Sequence, residues 1–285
     1  MSLRDASGFE GRDGVGLYVF CLVRASAAEA AAGHGLTEDA PLRALVHEDI
    51  AAVCCEVSLH DWTGEAGEAH LKDLGWLGPR ALRHEEVIEQ MMRASPVLPL
   101  RFGCLFSPEE QLVELLRSKR TRIEAFIEKI ANGEEWSLKG ALDPRACEEA
   151  MFAADPRAAT LPASKGARYL LEQKLRKDAA NAARAWVREA EAAIAQAFEG
   201  LVLARRSLRP SPRGAAEPTL EGVFHWAILM PRGAEAELTR RLAPLAEQLS
   251  LRGLHVSARG PWPAYNFVPH FRDEPADKAE EQPRG

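Results

Sequence analysis

The sequence predicts an α+β protein of two βαββαβ-type domains, the second carrying a long helical extension. Three observations lead there. The chain has 285 residues, and at about 100–200 residues per domain that length suits two. Hydrophobic residues make up 46% and charged residues 27%, enough apolar content to build packed cores rather than a disordered chain. Strand-like and helix-period apolar runs alternate in a similar order in both halves, although the first helix of the N-terminal half is hard to find. The predicted division is 1–14 as a disordered tail, 15–133 and 134–271 as the two domains, and 272–285 as a second disordered tail.

The first strand is predicted from Val15 to Val23, GVGLYVFCLV with its preceding glycine. Both alternating faces are apolar, as in a central strand covered on both sides. Gly33-His34-Gly35 marks a turn, and Leu42 to Val46 and Ile50 to Val57 then read as a hairpin with a short polar turn at His47-Glu48-Asp49. Pro79 is expected to open a helix running to about Met92, with Leu77, Ala81, Ile88 and Met92 inward. Ser95-Pro96 stops it, and VLPLRFGCLF, Val97 to Phe106, resumes strand character. Pro99 and Gly103 suggest an edge or a bulge there. Ser107-Pro108-Glu109-Glu110 predicts a capping box for a helix with an apolar stripe from Leu112 to Ile130, and Asn132-Gly133 predicts its left-handed stop.

Glu135 to Leu142 is the next predicted strand, followed by a short helix capped at Asp143-Pro144. A long helix is expected from about 165 to 198, with Leu171, Leu175, Ala179, Ala182, Trp186, Ala190, Ile194 and Phe198 on its apolar stripe. Leu201 to Leu208 and Glu221 to Met230 read as strands joined by the Pro- and Arg-rich loop RPSPRGAAEP. Ala234 to Leu249 is a predicted helix, and Leu254 to Arg259 a half-buried strand.

Composition excludes several functions. A formal net charge of −6 and a pI near 5.8 argue against a dedicated nucleic-acid binder and against a polybasic grip on anionic lipid. No run approaches the roughly 20 apolar residues that span a bilayer, and the charged, Gly-rich start lacks the apolar middle of a signal peptide. Five cysteines without a CxxC pair predict buried small hydrophobes in a cytoplasmic protein rather than a disulfide framework or zinc knuckle.

No specific catalytic motif is present: GxSxG, GxxxxGK[ST], HExxH and GxGxxG are all missing from the sequence. His84-Glu85-Glu86 has no second His at ligand spacing and is expected on a solvated helix face. His60, Asp61 and His70 around Trp62 could be conceived as ligands, but loop polarity explains them better. Cys104 lies near Arg101, yet an inert buried thiol is the better expectation. His225 in an apolar strand reads as a hydrogen-bonded core residue. No catalytic, cofactor-binding or metal site is predicted. Two stretches stand out as candidate partner-binding surfaces. Arg101, followed by Phe102, is a lone charge among apolar strand residues and needs a partner or a route to water. The strip Gly260-Pro261-Trp262-Pro263-Ala264-Tyr265-Asn266-Phe267-Val268 concentrates aromatics on a Pro-stiffened chain. Its bland alternative is a tail folded over the core.

These stretches carry a resemblance. VLPLRFGCLF with its following helix, EEWSLKG, SKGARYLLEQKL and GPWPAYNFV occur in order. With Trp76, Leu77, Arg80, His84 and Glu85 ahead of them, they resemble the gas vesicle protein F/L family from about Leu17 to Val268. Cys104-Leu105 falls where that family varies, and Ala264 to Asn266 replaces a commoner Pro-Tyr-Ser arrangement. The resemblance implies two ferredoxin-like α/β domains with a helical extension and no enzymatic activity. It also implies a cytoplasmic role in gas vesicle assembly, with the small hydrophobic shell protein and other gas vesicle accessory proteins as partners. The competing expectations are a ferredoxin-like small-molecule sensor or enzyme, since fold alone does not decide function, and a structural oligomer built through the long Ala-rich helix.

Overall fold

A computed structural model describes residues 14–210 and 219–269. Residues 1–13 and 270–285, which take in the predicted tails 1–14 and 272–285 except residue 14, and residues 211–218 of the Pro- and Arg-rich loop lie outside the described residues. The described chain forms two compact units, 14–131 with 267–269, and 132–266. Each contains one antiparallel sheet with helices, so the mixed α+β architecture expected from the sequence is the one observed.

In the first unit β1 (Val15–Arg24) is central, and every residue from Gly16 to Val23 is buried. β2 (Arg43–His47) and β3 (Ile50–Ser58) form the expected hairpin, turning at Glu48 with φ of 52°. The strand order is β2-β3-β1-β4, with β4 (Leu98–Pro99) and β5 (Leu105–Phe106) both pairing with β1. The VLPLRFGCLF run is therefore not one strand but two short ones with a loop between them. The 3-10 helix Ala25–Ala30 occupies the place of the helix that the sequence hides; six Ala-rich residues are too few to show a helical stripe.

After the short helices α1 (Leu59–Trp62) and α2 (Gly64–His70), α3 runs over Leu74–Met92. It begins before Pro79, not at it. Asp73 caps it by accepting from the Gly75 N–H at 2.8 Å, and Pro79 sits in the second turn, where it removes one ladder bond. Its buried positions are His84, Val87, Ile88 and Met91; Leu77, Ala81 and Met92 are only half-buried. α4 (Glu109–Ile130) buries Leu112, Leu116, Ile123, Phe126, Ile127 and Ile130, close to the expected stripe. Its cap differs from the expectation. Pro108 is the N-cap, and the buried Ser107 hydroxyl instead donates to the Val15 carbonyl of β1 at 3.4 Å. Gly133 does not stop the helix in a left-handed turn either; Ala131 caps in right-handed helical geometry and Gly133 starts β6.

The second unit runs β6 (Gly133–Leu142), α5 (Pro144–Ala154), α6 (Lys165–Ala197), β7 (Ala204–Leu208), β8 (Glu221–Pro231), α7 (Glu235–Ser250) and β9 (Leu254–Trp262). Its strand order is β7-β8-β6-β9. The first sheet, β2-β3-β1-β4, repeats that order with its own second, third, first and fourth strands. Asp143 caps α5 by accepting from the Ala146 N–H at 3.1 Å, as its Asp-Pro sequence predicts. Helices α6 and α7 cover one face of the sheet: Ala190, Ile194, Leu238, Leu242 and Leu249 join Trp136, Leu138, Phe224, Trp226, Ile228 and Met230 in one core. The 33 residues of α6 span about 50 Å at 1.5 Å per residue. Ala183 rather than Ala182 faces inward, because the sequence offers adjacent alanines and packing selects between them.

Ile194 is fully buried in that core, so Ile194→Ala removes methylenes and leaves a cavity. It is expected to cost about 2–5 kcal/mol, measured as a lower urea midpoint with unchanged slope.

Candidate functional site

The loop Leu100–Cys104 is held by buried polar groups at both ends. Leu100 N–H donates to the Phe20 carbonyl at 2.9 Å, and Val19 N–H donates to the Cys104 carbonyl at 2.9 Å. Between these, Gly103 takes φ of +83°, a conformation that favours glycine. Its N–H donates to the Tyr18 hydroxyl oxygen at 3.2 Å. That hydroxyl is 2.8 Å from His84 Nδ1, and His84 Nε2 is 3.1 Å from the Leu100 carbonyl. Since Tyr18 already accepts from Gly103, the chain of bonds assigns the hydroxyl proton to a bond toward Nδ1 and the ring proton to Nε2. A Tyr–His pair on β1 and α3 thus ties down both flanks of the loop.

Rings pack around this pair. Tyr18 lies 5.0 Å from Trp62 and 5.8 Å from Phe102, and Phe20 stacks on His84 at 5.6 Å. Phe102 is 5.6 Å from His84 and 5.4 Å from Trp62. Burial holds the His84 pKa at about 4, well below its ordinary 6.5, and pushes the Tyr18 hydroxyl upward. His84 is thus a neutral buried residue and not part of the solvated helix face expected from its Glu neighbours. Arg101 is exposed and makes no ion pair or hydrogen bond among the described residues. Of the two sequence alternatives for this charge, the route to water is the one taken.

The other histidines resolve individually. His70 donates to the Asp61 carbonyl at 2.9 Å and stacks flat on Trp76 at 4.6 Å, while His60 is exposed beside Asp61. His225 bonds the Ser137 hydroxyl at 2.9 Å, but it is half-buried on the sheet rather than in the core. Among the described residues no group of three or more His, Cys, Asp or Glu could hold a metal ion. Burial pushes the Cys104 thiol up to about 11 and Cys54 to about 11, the opposite of an activated nucleophile.

The second candidate is the strip at the end of β9. Gly260 lies over Trp136: a Cβ there would meet the indole at 2.7 Å and the Glu135 carbonyl at 3.0 Å. Glycine is required by that close approach, not by a special φ. Trp136 is buried, and its Nε1 has no hydrogen-bond partner among the described residues. Pro261 and Trp262 are exposed, the tryptophan at 44%. Pro263, Ala264 and Phe267 are buried and Tyr265 is half-buried. The strip is therefore mixed, a docked segment that leaves a tryptophan outside.

What docks it is a pair that sequence reasoning missed. Glu135 on β6 is 3% exposed, and both its oxygens accept from Asn266, Oε1 from Nδ2 at 2.6 Å and Oε2 from the backbone N–H at 3.1 Å. Burial raises the Glu135 pKa, and the Asn266 bonds oppose that shift. The only signal in the sequence is a Glu at the first position of a predicted strand.

The first unit thus carries an anchored loop and the second a docked aromatic strip. The profile described as "Gas vesicle synthesis protein GvpL/GvpF" matches residues 16–269, and the chain belongs to that family. It is 27% identical over 241 residues to "Gas vesicle protein L" of Streptomyces sp. (strain CB03234), covering 82% of this chain and 85% of that protein. Among solved structures, gas vesicle protein GvpF from Anabaena sp. PCC7120 shares 18% identity with a TM-score of 0.64, covering 90% of this chain and 98% of that one. GvpF from Microcystis aeruginosa shares 17% with a TM-score of 0.57, covering 90% and 99%. Those two likenesses establish the common fold.

His84→Phe keeps a ring in place and removes both hydrogen bonds, at an expected cost of about 1–3 kcal/mol. Acid should narrow the difference between the two proteins. With a folded pKa of about 4 against an ordinary 6.5, the unfolded chain binds more protons between those values. The neutral His84 therefore contributes fully above pH 6.5, and its contribution, about 3 kcal/mol across the window, is lost as pH falls. Melting curves from pH 7.5 to 4.5 should decline less steeply for His84→Phe than for the parent chain. Asn266→Ala strips one donor from a buried carboxylate and should lower stability by about 1–3 kcal/mol in thermal melts.

Proposed function

We propose that this chain is a non-enzymatic accessory or minor structural protein of gas vesicle assembly. In this reading it binds the small hydrophobic shell protein and helps nucleate or organise the vesicle, working in the cytoplasm and at the vesicle itself. The observation that carries the proposal is the family match along 16–269, nearly the whole described chain. Family membership implies a role in gas vesicle formation; capture of the shell protein is the further step.

The physical rationale concerns the partner. A very hydrophobic subunit aggregates before it assembles unless its apolar surface is covered. Two features of this chain support a holding role. Trp262 is exposed on a segment whose neighbours Pro263 and Ala264 are buried, so a large apolar side chain is presented on a fixed base. β9 is an edge strand, and an edge offers unpaired N–H and C=O groups to an incoming strand. Arg101 and Phe102, on their anchored loop, are a second contact surface: a free guanidinium beside a half-buried ring.

A folded Trp262→Ala/Tyr265→Ala chain, co-expressed with the shell protein, should retain about tenfold less of it in a pull-down. Undiminished capture would remove the strip from the proposal. An Arg101→Ala/Phe102→Ala chain tests the loop in the same assay. Loss of shell-protein capture by neither pair would leave the binding role without a surface.

A further inference from the structure

The outer face of α6 carries a stripe of six residues: Leu170, Lys174, Lys177, Asn181, Arg184 and Arg188. They follow one another at alternating steps of four and three residues. That is the repeat of a helix–helix seam, and it places all six on one side of the helix. The opposite side is the one that packs, burying Leu175, Ala179, Ala183 and Ala190. Every stripe residue is exposed, Leu170 at 70%. From Leu170 to Arg188 the stripe runs about 27 Å at 1.5 Å per residue.

Elsewhere helix cations are answered by an acid one turn away, as Arg117 is by Glu114, Arg120 by Glu124 and Arg168 by Glu172. On the stripe the neighbour one turn away is another cation, Lys177 for Lys174 and Arg188 for Arg184. Like charges at those spacings destabilise a helix. Two acids of α6 stand one turn from a stripe cation, Asp178 from Lys174 and Glu191 from Arg188. Each is engaged elsewhere: Asp178 by Arg157 at 3.1 Å and Glu191 by the Trp226 indole N–H at 3.2 Å. Glu189 follows Arg188 in sequence but stands about 100° round the helix from it. Lys174, Lys177, Arg184 and Arg188 make no ion pair or hydrogen bond among the described residues. An arrangement that costs the helix stability and leaves its charges unanswered suits an external partner.

We infer that this stripe docks an acidic amphipathic helix of a partner protein, laid along α6 with its carboxylates opposite the four cations. Charge complementarity sets the sign of the partner, and the spacing sets its shape. The two uncharged members are what a helix seam uses, an apolar side chain at Leu170 and a register-setting amide at Asn181. A second copy of this chain does not fit, because the stripe laid on itself sets cation against cation in either direction. A nucleic acid meets a chain of net charge −6 and finds no ring on the stripe for a base to stack on. A helix lying in an anionic membrane needs apolar side chains along its buried face, and Leu170 alone supplies one here. The surface adds a partner chemistry that is acidic rather than apolar, and it stands or falls independently of shell-protein capture.

The full chain is titrated with a fluorescent Glu-rich peptide built on the same alternating repeat, and with a scrambled peptide of equal composition. A DNA oligonucleotide and phosphatidylserine vesicles are the alternative ligands. The repeat peptide should bind about tenfold more tightly than the scrambled one, more weakly as salt rises, and gain helical circular dichroism on binding. Lys177→Gln/Arg184→Gln should lower its affinity by about tenfold while melting no lower than the parent, since each change removes one member of a like-charge pair. A lower melting point would assign these cations to the fold itself and overturn the proposal. Equal binding of the two peptides by the parent, or unchanged affinity in the variant, overturns it as well. Tighter binding of DNA or vesicles than of peptide, lost on the same substitutions, overturns it in favour of that ligand.

Discussion

A buried hydroxyl has to find partners inside the most apolar strand of the chain, and the first unit is arranged around the way Tyr18 finds them. Tyr18 is fully buried on β1, where an unbonded hydroxyl would cost several times what the bond returns. Its partners come from two directions, His84 on α3 and the Gly103 amide. Meeting both fixes where α3 lies on the sheet and why the chain between β4 and β5 leaves β1 as a loop. The exposed position of Arg101 follows. With Leu100 and Gly103 held to the interior, the residue between them and Phe102 is turned toward water.

The second unit solves a similar problem with a charge. Glu135 occupies a sheet position where its neighbours across the strands, Leu229 and Trp262, are apolar. Its carboxylate is satisfied as the chain after β9 folds back and offers two Asn266 donors. That return docks Pro263 and Ala264 and leaves Trp262 at the margin. A polar requirement in β6 thereby shapes the aromatic strip.

Much of the fold was legible in the residues. The double-sided apolar run of β1, the stripe of α4 and the Asp-Pro cap of α5 each carry a local signal that tertiary packing does not overrule. The misreadings have a common cause. Ser107 is a good cap locally, yet the strand carbonyl of Val15 competes for its hydroxyl. Pro79 suits a helix start, but Asp73 caps earlier. His84 beside two glutamates looks solvated until the helix is rotated against Tyr18. Of the candidate surfaces, Arg101 and the Trp262 strip were visible as unusual residues in apolar or Pro-rich company, while Asn266 carried no sign of its bonds to Glu135.

The sequence by itself determined the class: periodicity and turn chemistry are local, and they specify two similar successions of strands and helices in a mildly acidic chain. Its motifs also pointed to the gas vesicle family, because ordered motifs are properties of the chain alone. Only the tertiary structure decided which polar groups are buried and partnered and which charges are left facing water. Tyr18 and His84 are 66 positions apart and Glu135 and Asn266 are 131 apart. Hydrogen bonds over such separations exist only once the register between strands brings them together.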